Sequence, residues 1–358
     1  MTDVTRRQFI ERSTALGIAA GGFLTAGADK ASKAPAEGKP ARRAPRRTKP
    51  LDREEIRHHL TGPIASVHTP FTKDGSIDFK SLARLIDFTI EAGSKTVLLT
   101  AGDSHFFCLS EREIADVTKA VCEQAAGRAL VVAADRQYST TRAVEFAEFS
   151  RDAGADVVMC LPPDWGASCT PETLAEHYAA VANKMPVMIV TGVFISRGAD
   201  FGLKAIELAM DRSPNVVAVK DDMVGEFARR LSLLTFGRIA VFAGGTKEHH
   251  MNAWPYGCDG YMSTFITFAP QVAHDYWGAI QRKDMEAARR IIKEIDMPLF
   301  ETIGKLTGGF DAGIHGILEI YGLAERWRRK PYYSLGDAEM DQLKQFLATL
   351  KIPRPGSA

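Results

Sequence analysis

The chain lacks what several function classes require. Its 358 residues contain five cysteines, Cys108, Cys122, Cys160, Cys169 and Cys258, with no C-x-x-C spacing. That odd, scattered set argues against a disulfide framework and against a cysteine zinc site. Charge of one sign is also scarce, the formal net charge being +1. Residues 29–50 carry about +6 of it and residues 1–28 about +1, which leaves 51–358 near −6 and gives no electrostatic footprint for nucleic acid. No apolar run reaches the about 20 residues that span a bilayer. No G-x-G-x-x-G follows the first apolar run, so the dinucleotide-binding fingerprint is missing.

What is present begins with targeting. "TRRQFI" (5–10) sets paired arginines before Phe9, an apolar small-residue run covers 13–28, and "AGA" (26–28) offers a small-x-small cleavage pattern. Residues 1–28 resemble a twin-arginine export signal, so a periplasmic or otherwise exported destination is expected. The alternative is a disordered basic tail. Residues 29–50, rich in Pro, Ala, Lys and Arg without periodicity, read as a flexible linker.

From residue 62 onward, apolar strand-like runs alternate with segments of helical period. The runs occupy 62–71, 96–102, 129–135, 156–163, 186–192, 216–222, 239–245 and 260–265. Intervening segments such as 78–93 and 110–127 start with an acidic or hydroxyl residue and end in glycine, as helix caps require. Eight such units, 20–35 residues apart, predict an α/β fold of the (β/α)8 TIM-barrel type. Helices continuing from about Pro270 to Leu350 add a C-terminal helical extension, so the barrel and extension occupy 51–350. A doubly wound open sheet is the runner-up.

Chemistry in such a barrel sits at the carboxyl ends of the strands. "VVAVKDD" (216–222) is a strand of the doubly buried kind that ends in Lys220. Alternation places Val216, Ala218 and Lys220 on one face. If that face is the interior, desolvation favours the neutral amine, which can attack a ketone and form a Schiff base. The plain alternative is a strand-end lysine reaching solvent.

Several segments in order resemble the dihydrodipicolinate synthase / N-acetylneuraminate lyase family, which are Schiff-base barrel enzymes acting on 2-oxo acids. They are "TPFTKDGSIDF" (69–79), "TAGDS" (100–104), "AGAD" (153–156), "NVVAVKDD" (215–222) and "GCDGYMST" (257–264). The resemblance covers about 60–350. It implies Lys220 as nucleophile, Thr100 as a catalytic partner, and Ala101, Gly102, Asp103, Thr191, Gly244 and Ser263 as substrate-binding positions. It also implies a small-molecule 2-oxo acid substrate, no metal or organic cofactor, and a homo-oligomer, dimer or tetramer.

Three departures stand out. The Tyr-Asn pair that ends the family's fifth strand is matched by Val190 and Thr191, the tyrosine after its fourth strand is replaced by Trp165, and the second threonine of its T-T-G-E loop is Ala101. A Schiff-base enzyme still needs proton transfers. His68, His105 and Tyr261 are candidate relays, with Asp103, Asp164 and Asp222 as further ones. Against these stand a structural histidine at His68, a loop histidine at His105, a barrel-wall aromatic at Tyr261, and a helix-capping role for Asp221 and Asp222 before the helix near Val224. His249 and His250 are assigned no role. A metal-dependent barrel aldolase is disfavoured, because spacing brings no His/Asp/Glu cluster to one strand end.

"GDSHFFCL" (102–109) and "KDDMVGEF" (220–227) resemble the family's sugar-acid dehydratases more than its biosynthetic synthase. The expected function is therefore an aldolase or hydro-lyase acting on a 2-oxo acid, a 2-oxo sugar acid in particular. The alternative is a non-catalytic binder of such acids on the same fold.

Overall fold

A computed structural model describes residues 49–350 and 352. The export-signal segment (1–28) and nearly all of the linker lie outside these residues.

Helix α1 (Arg53–His59) leads into eight strands. They are β1 (Gly62–Ser66), β2 (Thr96–Leu98), β3 (Leu130–Ala134), β4 (Val157–Cys160), β5 (Val187–Val190), β6 (Val216–Asp221), β7 (Ala240–Ala243) and β8 (Gly260–Met262). Each lies within the run expected to form it. All pair in parallel, in chain order, and β8 returns to β1 to close the barrel, which excludes the open sheet. Closure needs a glycine: a Cβ on Gly260 would stand 2.5 Å from the Leu60 carbonyl and 2.6 Å from that of Gly62.

The helices between strands are α2 (Phe79–Glu91), α3 (Glu111–Ala125), α4 (Thr140–Ala153), α5 (Pro171–Ala182), α6 (Ala199–Arg212), α7 (Gly225–Thr235) and α8 (Lys247–Ala253). The starts of α2 and α3 follow the sequence signals. The Asp78 carboxylate accepts from the N–H groups of Lys80 and Ser81, and Ser110 with Glu113 forms a capping box. Strands buried on both faces fill the barrel and seat these helices, giving one continuous apolar core.

Beyond β8 come α9 (Pro270–Gln281), α10 (Met285–Ile291), a π-helical turn (Ile292–Asp296), α11 (Met297–Gly304), α12 (Gly309–Ile320) and α13 (Asp337–Thr349). Their apolar faces form a second core, in which Leu299, Ile303, Ile314, Leu318 and Leu343 join Ala65 of β1, Leu85 of α2 and Phe265 after β8. This packing fixes α12 beside the end of β1, with consequences for the site. No helix among the described residues is long and apolar enough to cross a membrane.

Candidate functional site

Lys220 lies in β6 between Val190 of β5 and Phe242 of β7, and only 7% of it is exposed. Its Nζ is hydrogen-bonded and ion-paired to the Asp222 carboxylate two residues on. The backbone around this pair is held tightly. Thr191 donates its hydroxyl to Asp221 Oδ1 (3.0 Å) and accepts from the Asp222 N–H (2.7 Å). Asp221 also accepts from the Met223 N–H, and burial raises its pKa above the usual carboxylate value. Gly244 donates its N–H to the Asp221 carbonyl (2.7 Å). A Cβ there would overlap Asp222 Oδ1 and stand 2.9 Å from Lys220 Nζ, so the close approach of β7 requires glycine.

Asp221 and Asp222 therefore do not cap α7, which corrects the capping alternative. The N-cap of α7 is Val224, with φ +53° and no side-chain cap. The Asp222 side chain is taken by Lys220 instead, because a half-buried carboxylate beside a buried ammonium gains more from that charge than from backbone amides.

Thr191 and Gly244, expected as substrate-binding positions, thus act first on the strand ends themselves. Ser263 is buried at the end of β8. The loop after β2 is built from its own side chains: Thr100 Oγ1 accepts from the Asp103 N–H (2.9 Å), and Ser104 Oγ accepts from the Thr100 N–H (3.1 Å) and donates to the Val67 carbonyl (2.7 Å). Among the described residues the N–H groups of Ala101 and Gly102 make no hydrogen bond, so they are free to meet an anion.

Of the relay candidates, Tyr261 is placed elsewhere. Its hydroxyl donates to the Ala273 carbonyl on α9 (3.2 Å), and its ring packs against His250 and Tyr276. Burial pushes the phenol well above its ordinary pKa. Alternation along β8 turns Tyr261 toward the helix layer, which makes it a barrel-wall aromatic. Asp164 is also engaged, accepting from Arg197 (2.7 Å) and from the Cys169 N–H (2.8 Å).

His68 and His105 meet in a polar cluster between the ends of β1 and β2 and helix α12. His105 has left-handed backbone (φ +58°), and its Nε2 lies 2.8 Å from Nε2 of His315 on α12. Burial, followed by the nearby His68 and Arg328, lowers its pKa to about 3. His315 is lowered well below the ordinary value, mainly by burial. The His68 ring stands 6.0 Å from that of His315 and 6.4 Å from that of His105. One ring nitrogen of His68 and one carboxylate oxygen each of Asp103 and Asp311 lie within 4.8 Å of one another. Arg328 donates to Asp311 Oδ2 (3.2 Å). The expectation that no His/Asp/Glu cluster converges is thereby corrected. Asp311, His315 and Arg328 come from the C-terminal extension, where spacing from strand ends gives no signal.

A groove of about 580 Å³ opens at the opposite end, lined by residues that precede strands, including Ala129, Asp156, Pro186 and Asn215. In a TIM barrel that end reads as structural.

The dihydrodipicolinate synthetase family model matches residues 59–350. The "Probable 5-dehydro-4-deoxyglucarate dehydratase" of Acinetobacter baumannii (strain AB307-0294) is 24% identical over 84% of this chain and 99% of its own length. The 4-hydroxy-tetrahydrodipicolinate synthase of Laribacter hongkongensis is 29% identical over 65% of this chain and 79% of its own. The crystal structure of N-acetylneuraminate lyase from Fusobacterium nucleatum superposes with a TM-score of 0.72 over 82% of this chain and 99% of that one, at 19% identity, a likeness of fold. The chain belongs to the dihydrodipicolinate synthetase family, a family of lyase-type enzymes.

Proposed function

We propose that the protein is an exported lyase that condenses Lys220 with the ketone of a 2-oxo acid, a 2-oxo sugar acid in particular. The observation that carries this is the pair formed by buried Lys220 and half-buried Asp222 at the carboxyl end of β6. Asp222 takes a proton from the ammonium, the freed amine attacks the carbonyl carbon, and the returning proton lets the carbinolamine hydroxyl leave as water. The resulting iminium accepts the electron pair released when a neighbouring C–C bond breaks, or when a neighbouring C–H bond gives its proton to the regenerated Asp222 carboxylate. Asp222 thereby stands in for the relay that Val190, Thr191 and Trp165 cannot supply. The substrate carboxylate binds at the free N–H groups of Ala101 and Gly102 and the hydroxyl of Thr100.

The sugar-acid reading is supported by the dehydratase relative, whose alignment runs further along this chain than that of the synthase. Self-association is part of the proposal and is supported by Trp165, which is 95% exposed on the loop after β4. Light scattering on the purified protein tests it, and a monomer would remove it.

Borohydride trapping with pyruvate and a panel of 2-oxo sugar acids, read by peptide mass spectrometry, tests the chemistry. The expected result is an adduct on Lys220 that Lys220→Ala abolishes. Saturable binding of those acids to folded protein with no adduct would replace the lyase by the non-catalytic binder.

A further inference from the structure

We propose that His68, Asp103 and Asp311 form a binding site for a divalent metal ion of the zinc type, separate from the lysine. The three come from different parts of the fold: the segment after β1, the loop after β2 and the first turn of α12. Their donor atoms already lie within 4.8 Å of one another. A four-coordinate ion with bonds of about 2.0–2.1 Å holds its donors roughly 3.3 Å apart. Closing the remaining distance takes about 1.5 Å at most, within the reach of side-chain rotation.

Two further observations point to a ligand. His68 is 3% exposed and its Nε2 has no hydrogen-bond partner, a costly state for a buried polar nitrogen that coordination through Nε2 would relieve. The two aspartates converge as like charges in a half-buried place, and Arg328 reaches only Asp311, through Oδ2. A cation between the carboxylates offsets their repulsion, while Arg328 and the His105–His315 pair stand behind the donors, where surrounding groups orient metal ligands. One imidazole nitrogen with two carboxylates suits zinc or manganese better than magnesium or calcium, which prefer all-oxygen sets. Three protein donors leave a fourth position for water or an oxygen of a small ligand. The proposal does not depend on the Schiff base, and trapping at Lys220 succeeds or fails independently of it.

The test uses the purified protein, stripped with EDTA and incubated with Zn²⁺, Mn²⁺, Mg²⁺ or Ca²⁺ before desalting and elemental analysis. About one equivalent of Zn²⁺ or Mn²⁺ per chain is expected, with Tm raised by that ion. Asp103→Asn and Asp311→Asn should each weaken binding at least tenfold and cancel the Tm rise. Asp103 lies on a half-buried loop, and its isosteric replacement leaves the core untouched. Wild-type protein that retains less than about a tenth of an equivalent would overturn the proposal. Equal uptake by wild type and both variants would overturn it too, since the metal would then bind elsewhere.

Discussion

Gly244→Ala tests the proposed chemistry without substituting either reacting side chain. The added methyl would overlap Asp222 Oδ1 and come within 2.9 Å of Lys220 Nζ and 3.0 Å of the Asp221 carbonyl, against 3.4 Å for ordinary contact. The Asp221 carbonyl is backbone and pinned by the Gly244 N–H itself, so relief must come from the Asp222 carboxylate. It has to retreat by about 1 Å or more, and a displacement of that size at a reacting group costs about 10²-fold in rate. Overpacking of this kind destabilises by about 1–3 kcal/mol, which a barrel of this size survives. The assay pairs the rate of borohydride-trapped adduct on Lys220 with a urea unfolding curve. We expect trapping to fall about 10²-fold in a protein that still unfolds cooperatively. A variant that traps within twofold of wild type would show that Asp222 has no part in Schiff-base formation.

Two further predictions concern buried charge. Lys247, at the start of α8, is ion-paired with Asp296 of the π-helical turn at 2.5 Å, both essentially unexposed, with Nζ 4.0 Å from the Phe265 ring centroid. Lys247→Met should cost about 3–5 kcal/mol in urea unfolding, because it strands a buried carboxylate, and adding Asp296→Leu should recover much of that; a single-variant loss under about 1 kcal/mol would refute it. Asp135, at the end of β3, has its pKa raised by burial from 3.8 to about 7, despite accepting from the Leu161 N–H. The folded state then holds a proton that the unfolded state has released, so this group's stabilising contribution is complete below about pH 4 and is lost as pH rises through about 7. Relative to Asp135→Asn, wild type should lose about 3 kcal/mol between pH 5 and pH 8, at about 1.4 kcal/mol per pH unit below the folded pKa; a pH-independent difference in urea stability would contradict this.

The barrel was legible because each strand is a short apolar run and each early helix announces its cap, as Asp78 and Ser110 do. The position of Lys220 at the carboxyl end of β6 was legible for the same reason, since an ammonium at the end of such a run stands out from its neighbours. Contacts decided by competition were not legible. Asp222 has the sequence position of a helix cap, and only the buried Nζ beside it outbids the backbone amides. Tyr261 alternates with residues of either face, and a three-residue strand is too short for the pattern to show which side it takes. The third member of the His68–Asp103–Asp311 cluster lies over two hundred residues downstream, in a helix whose apolar periodicity reveals that it packs but not what its polar face meets.

In the proposed reaction, the position of the proton relay follows from which candidate touches Nζ. A relay has to reach Nζ directly or through one water. Tyr261 spends its hydroxyl on the Ala273 carbonyl, Asp164 is divided between Arg197 and the Cys169 amide, and His105 is joined to His315. Thr191, just after β5, donates to Asp221 and receives two backbone N–H groups, which leaves no proton free to travel. Asp222 is the group in contact with Nζ, and a carboxylate there can both take the ammonium proton and return it to the departing hydroxyl. The loss of the tyrosines therefore does not require the loss of turnover. In the proposed reaction proton transfer runs through a carboxylate two residues beyond Lys220, so Asp222→Asn should retain the fold and lose the adduct.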